Sequence, residues 1–172
     1  MAVYRRIRED VMPQWTLFEN DFRSIDGILS ELLERANALS VHLVDRSGQL
    51  ITTAGRSGDF DATSFASLVA ADFTANAEIS TLLGEHAVEA VVNEGRGRSV
   101  HSCLLAGRII LCTVYDRRST LGLVRYRAVR ASRRLEPVFR DLFEKVGMGE
   151  PVAGAPGYAD AAGREVDALF GE

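Results

Sequence analysis

The residues with which this chain could do chemistry are few and scattered. Its three histidines are His42, His86 and His101, and neither HExxH nor CxxC spacing, which lets one segment present two metal ligands, occurs in the 172 residues. Packed or solvent-exposed imidazoles are expected rather than a metal centre. Cys103 and Cys112 fall within one predicted hairpin, so a buried pair of free thiols is expected rather than a disulfide. Asp45, close to Gly48, has the chemistry of a general base, but an Asp in a tight turn ordinarily accepts hydrogen bonds from its own backbone. There is no GxSxG elbow and no Walker phosphate loop, and Gly95-Arg96-Gly97 lies inside a predicted hairpin, where turn geometry accounts for it. No catalytic residue, metal or cofactor is assigned, and the chain is not expected to hydrolyse nucleotides itself.

One positive cluster remains. Arg117, Arg118, Arg125, Arg127, Arg130, Arg133 and Arg134 fall within eighteen residues and could meet phosphate groups or acidic protein. A net charge of −4 gives no general attraction to nucleic acid, so a solvated helix face is expected, with ion pairs inside the same chain as an alternative. At 47% hydrophobic and 26% charged residues, the composition suits one domain with one well-buried core. No apolar run is long enough to span a membrane, and MAVYRRIRED lacks the apolar stretch of a cleaved signal, so a cytoplasmic protein is expected.

The elements that must position any site follow from periodicity. Residues 1–13 are charged and aperiodic up to Pro13 and are expected to form a flexible arm. From Thr16, Leu17, Phe18, Phe22, Ile25, Ile28, Leu29, Leu32, Leu33 and Ala36 recur at helical steps. LSVHLVD and QLITTAG then read as a hairpin turned at Gly48. A second helix opens after the N-cap candidates Asp59 and Asp61 and ends at Leu83-Gly84. AVEAVVNEG, RSVHSCLLAG and RIILCTVYD read as a meander of three strands, and helical spacing returns from Thr120 to Val146, with a kink expected at Pro137. The order α-β-β-α-β-β-β-α predicts a five-stranded antiparallel sheet between helical layers, an α+β, α/β/α sandwich spanning 14–146. A Gly, Pro and Ala linker is expected over 147–157, and a docking segment over 158–172 with Val166, Leu169 and Phe170 on one face.

The second helix, FASLVAADFTANAEIST at its heart, has no ordinary charged face. Phe65, Leu68, Ala75, Ile79, Leu82 and Leu83, with Asp72 and Asn76 among them, are expected to pack on the sheet. The other side gathers Ser67, Ala70, Ala71, Thr74, Ala77, Glu78 and Thr81, small residues that let another backbone approach, and no Lys or Arg lies between Asp61 and Gly84. That face is expected to be an interface. The third strand, Glu89, Ala90, Val91, Val92, Asn93 and Glu94, has no Pro or Lys to discourage pairing with a second copy.

The order of elements, with VHLVDRSGQLITTAG leading into FDATSFASLVAADFTANAEISTLLGE, resembles the Roadblock family of dynein light-chain-like proteins. Its fold belongs with the longin and profilin folds. DRSGQLI, TSFASL, LLGE, TLGLVRYRAVRAS and the terminal VDALFGE are similar to the bacterial MglB group, which regulates the small Ras-like GTPase MglA. The resemblance implies a homodimer with one continuous sheet joined through the third strand, and paired second helices that bind the GTPase. It implies activation of GTP hydrolysis by reshaping the GTPase, no catalytic residue in the activator, and a further contact through Val166, Leu169 and Phe170. Cytoplasmic concentration at a cell pole, a role in motility and contacts with other polarity proteins are also implied. Glu78 and Thr74 are larger than the group's usual residues on that helix, and the arm has no counterpart, which leaves a scaffold paralogue without activating function as the alternative. A small-molecule sensor would instead need a cavity lined by Cys103, Cys112 or Tyr115.

Overall fold

The computed structural model describes residues 19–56, 60–145 and 147. The arm, Thr16 to Phe18, Asp59, the linker beyond Gly147 and the docking segment lie outside the described residues. The elements run α1 (Glu19–Arg35), β1 (Ser40–Asp45), β2 (Leu50–Gly55), α2 (Ala62–Leu82), β3 (Ala90–Glu94), β4 (Arg98–Leu105), β5 (Ile109–Asp116) and α3 (Leu121–Lys145). The five strands form one antiparallel sheet in the order β2-β1-β5-β4-β3. The expected architecture is present, with α1 and α3 on one face of the sheet and α2 on the other.

The central strands explain why SVHLVD and IILCTVYD carry almost no alternation. Both β1 and β5 are buried along nearly their whole length, because helices cover both faces of the sheet there. Under α1 and α3, Leu43, Ile109 and Leu111 meet Ile25, Leu29, Leu135 and Phe139. Under α2, Val44, Ile110 and Cys112 meet Ala66, Val69, Ala70 and Phe73. Successive residues of β5 thus feed opposite cores, as the strand period of two requires.

Local chemistry sets the boundaries. The β1–β2 turn closes as expected: Asp45 Oδ1 accepts from the Ser47 amide at 2.7 Å, and Gly48 takes φ +91°. A Cβ on Gly48 would sit 3.1 Å from Ser67 Cα, so this glycine also lets the turn lie against α2. Asp61 caps α2, accepting from the Thr63 and Ser64 amides at 3.4 and 3.0 Å. The other end closes in a Schellman arrangement, with Glu85 N–H on Ser80 O, Gly84 N–H on Thr81 O and Gly84 at φ +81°. Thr120 Oγ1 accepts from the Leu123 amide at 3.3 Å and opens α3, which stays helical through Pro137.

Two expectations are corrected. The third strand begins at Ala90, and Glu89 precedes it, its carboxylate 3.2 Å from Arg125 on α3. Cys103 and Cys112 are free and buried, as expected, and they point into opposite cores. The sheet-packing side of α2 is also different, with consequences for the site.

Candidate functional site

Two stripes at helical spacing run along α2, and the smaller one faces the sheet. Ala66, Val69, Ala70 and Phe73 are 8% exposed or less, whereas Leu68, Ile79, Leu82 and Leu83 are 70%, 53%, 87% and 76% exposed. Of the stripe expected to be core, Phe65 does pack against the cluster under α2, but these four leucine and isoleucine side chains stand in solvent. Small alanines at the buried positions let the helix axis lie close to the sheet, and Phe73 fills what remains. Ala70, expected on the open interface face, belongs to this core and is withdrawn from that face.

Side chains fix the rotation of α2. Asn93 Nδ2 on β3 donates to Asp72 Oδ2 at 2.8 Å, and Asp72 Oδ1 accepts from Asn76 Nδ2 at 3.0 Å. At about 100° per residue, Leu68, Ile79 and Leu83 lie within roughly 40° of Asp72 around the helix. The exposed apolar stripe therefore leans toward β3, which is an edge of the sheet. The opposite flank leans toward the β1–β2 turn, where Ser67 Oγ lies 3.5 Å from Gly48 O. Ser67, Ala71, Thr74, Glu78 and Thr81 are exposed on or beside that flank, and Ala77 is half-buried. Thr74 and Thr81 turn their hydroxyls onto the carbonyls of Ala70 and Ala77 at 2.9 and 3.1 Å, which leaves mainly their methyl groups outward. Glu78 has no ion pair among the described residues.

The strand expected to pair with a second copy has its free side open. Among the described residues, Ala90, Val91, Val92, Asn93 and Glu94 pair only with β4, in register from Ala90–Cys103 to Glu94–Ser99. Val91 is buried under α2, while Val92 is 37% exposed. Unpaired backbone groups and an apolar helix flank thus lie along the same margin of the molecule. Val166, Leu169 and Phe170 lie outside the described residues.

His42, His101 and the two cysteines are divided between the two faces of the sheet rather than gathered at this margin. His42 is buried against Phe60 and Phe65, with Ser40 Oγ at 2.9 Å and Thr53 Oγ1 at 3.1 Å, and burial lowers its pKa to about 4. His101 lies on the other face of the sheet, lowered by burial and by the charge of Arg125. Burial raises both thiols, Cys112 to about 12. No group of three or more His, Cys, Asp and Glu suited to a metal ion occurs among the described residues, and no helix among them is long and apolar enough to cross a membrane.

No protein-family model and no curated protein matches the chain, but solved structures do. Myxococcus xanthus MglB is 36% identical with a TM-score of 0.69, over 74% of this chain and 96% of that one. The chain belongs to the MglB group of the Roadblock family. The gliding protein MglB of Thermus thermophilus, at 24% identity, matches the MglB-like fold with a TM-score of 0.67 over 74% of this chain and 97% of that one. A Roadblock/LC7 domain from Streptomyces avermitilis, at 18% identity, gives 0.61 over 66% and 96%. The expected Roadblock architecture and MglB likeness are thus present together. The residues that sequence reasoning missed are Leu68, Ile79, Leu82 and Leu83, the exposed stripe of this MglB-like fold.

Proposed function

We propose that the chain is a homodimeric, non-catalytic activator of an MglA-like small Ras-like GTPase, acting in bacterial cell polarity and motility. The observation that carries this reading is the coincidence on one margin of an open β3 edge and the exposed Leu68, Ile79, Leu82 and Leu83. Pairing β3 with its copy would extend the sheet across two protomers and bring the two α2 stripes together, covering an apolar surface that is costly in water. The uncovered part of the α2 pair would then be the small flank of Ser67, Ala71, Thr74 and Thr81, with half-buried Ala77 behind it.

That flank admits close approach, with Glu78 as its one carboxylate, and the reading asks no catalytic residue of it. A partner of this kind accelerates GTP hydrolysis by binding the hydrolysis-competent conformation of the GTPase more tightly than the others, which raises its occupancy. Domain 14–146 does this work, and Val166, Leu169 and Phe170, beyond the 147–157 linker, add a separate contact. The 1–13 arm has no assigned role, and a cytoplasmic location at a cell pole fits the reading.

The test is retention of the GTPase, loaded with GTP or GDP, on immobilised protein. Ala71→Arg, on the exposed flank, is expected to abolish retention while the dimer persists, and unchanged retention would remove that flank from the interface. Glu78 favours a second reading, a scaffold for other polarity proteins, because an unpaired carboxylate on a docking face demands a cation from the partner. Glu78→Ala should leave GTPase activation intact under the first reading and abolish capture of non-GTPase partners under the second.

A further inference from the structure

Most of the large apolar side chains that the described residues expose belong to the margin of α2 and β3, namely Leu68, Ile79, Leu82, Leu83 and Val92. Tyr126 and Val129 do not. They are 53% and 41% exposed on α3, which packs on the other face of the sheet. At about 100° per residue, Tyr126, Val129, Arg130 and Arg133 fall in one arc, opposite the buried Val124, Ala128, Ala131 and Leu135. An aromatic ring and guanidinium groups around an apolar centre are the side chains that anchor protein interfaces.

The positive charge of this arc is not met within the chain. From Arg117 to Leu135 the sequence holds seven arginines and no carboxylate. Arg118, Arg125 and Arg134 pair with Asp116, Glu89 and Glu31 at the borders of the helix. Arg133 is exposed and has no ion pair or hydrogen bond among the described residues. Arg130 Nη1 donates to Tyr126 Oη at 3.0 Å, which ties the ring to the cation and leaves the other guanidinium donors for a partner. Glu31, whose carboxyl feels the charge of Arg130, is already paired with both Arg35 and Arg134.

The shape of the charge selects the partner. Exposed Glu34 on α1 and exposed Glu94 on β3 stand to either side of α3, so the positive strip is one helix wide. A broad anionic surface, such as a bilayer or a nucleic-acid duplex, would press its charges against those carboxylates. A single acidic segment lying along α3 would avoid them. Tyr126 to Arg133 spans about two turns, roughly 10 Å, which a short helix covers.

We propose that the outer face of α3 docks an acidic amphipathic helix of a partner protein, its carboxylates on Arg130 and Arg133 and its aliphatic side chains over Tyr126 and Val129. This face lies across the sheet from the small flank of α2, so both are open at once and the docked helix tethers the protein without covering the flank. The charges involved are exposed, so added salt weakens the contact.

The test uses the isotope-labelled full chain alone, with no GTPase present, so its outcome is independent of the activator reading. The probe is a synthetic peptide of about three helical turns, with leucines at i, i+3, i+4 and i+7 and glutamates elsewhere, followed by NMR of the backbone amides. Shifts are expected over Gly122–Arg133 with a dissociation constant below about 1 mM. Arg130→Glu/Arg133→Glu should weaken binding at least about tenfold, and Tyr126→Ser/Val129→Ser about threefold or more. All four positions are exposed, and an unchanged urea midpoint confirms that each variant is folded. A glutamate peptide without leucines should bind more weakly than the amphipathic one. No shifts on α3, indifference to either double variant, or equal binding of the leucine-free peptide would overturn the proposal. So would phosphatidylglycerol vesicles that compete with the peptide for Arg130 and Arg133, or the same shifts produced by raising the concentration of the chain itself.

Discussion

Replacing Leu68 and Ile79 together with alanine should weaken the dimer without weakening the protomer. In the single chain these side chains are 70% and 53% exposed, and the proposed second copy would cover them. Full burial of a Leu or Ile side chain is worth about 1.5–3 kcal/mol. Covering the exposed fractions is therefore worth roughly 1–2 kcal/mol for Leu68 and about 1 kcal/mol for Ile79. A two-fold interface uses each residue twice, and alanine retains part of the contact, so the double variant should lose roughly 3–4 kcal/mol. That raises the dimer dissociation constant by about 10²–10³-fold. Sedimentation velocity over a dilution series measures it, with far-UV circular dichroism to confirm that α2 remains helical. Exposed substitutions to a strong helix former should change protomer stability by no more than about 0.5 kcal/mol. A dissociation constant unchanged within about threefold, or a protomer that unfolds, would refute the placement of this stripe at the interface.

Three further outcomes follow from the geometry. Ala70→Arg forces a charge into the core under α2 and should cost more than about 3 kcal/mol, whereas Ala71→Arg, one residue on and exposed, should change stability by no more than about 0.5 kcal/mol; equal urea midpoints would contradict the rotation of α2. His42 is held neutral to about pH 4 while its unfolded counterpart takes a proton near 6.5, so its contribution is fully present above about pH 6.5 and lost as pH falls toward 4, about 3 kcal/mol in all. Urea unfolding across this range should show that slope, flattened in His42→Gln, and a flat wild-type profile would contradict it. Cys103 and Cys112, raised by burial, should resist a thiol reagent in the native protein and react on unfolding; rapid native labelling would contradict their burial.

Most of the fold was legible because its signals are local. Gly48 and Asp45 fix the first hairpin, Asp61 and Gly84 bracket α2, and the apolar runs of β1 and β5 mark strands buried on both faces. The rotation of α2 was not legible in the same way. Both its stripes have helical spacing, and the larger side chains, Leu68, Ile79 and Leu82, read as core although Ala66, Val69, Ala70 and Phe73 hold that place. Asp72 was the available clue, since a carboxylate in a supposed core stripe marks the flank that bonds Asn93 at the sheet edge. The arginine cluster divided similarly. Arg125 and Arg134 pair with Glu89 and Glu31 across distances no sequence pattern reveals, while Arg127 and Arg130 line a cleft. The β3 edge was legible as a sequence without Pro or Lys, but its alignment with the apolar flank of α2 depends on the helix rotation.

The measurement that bears most directly on the account is single-turnover GTP hydrolysis by the cognate MglA-like GTPase with and without excess of this protein. Wild-type dimer should raise the rate, and Ala71→Arg, still dimeric, should leave it at the intrinsic value. A rate that does not rise with the dimer present, or that rises equally with Ala71→Arg, would contradict the assignment of the exposed α2 flank as the activating surface.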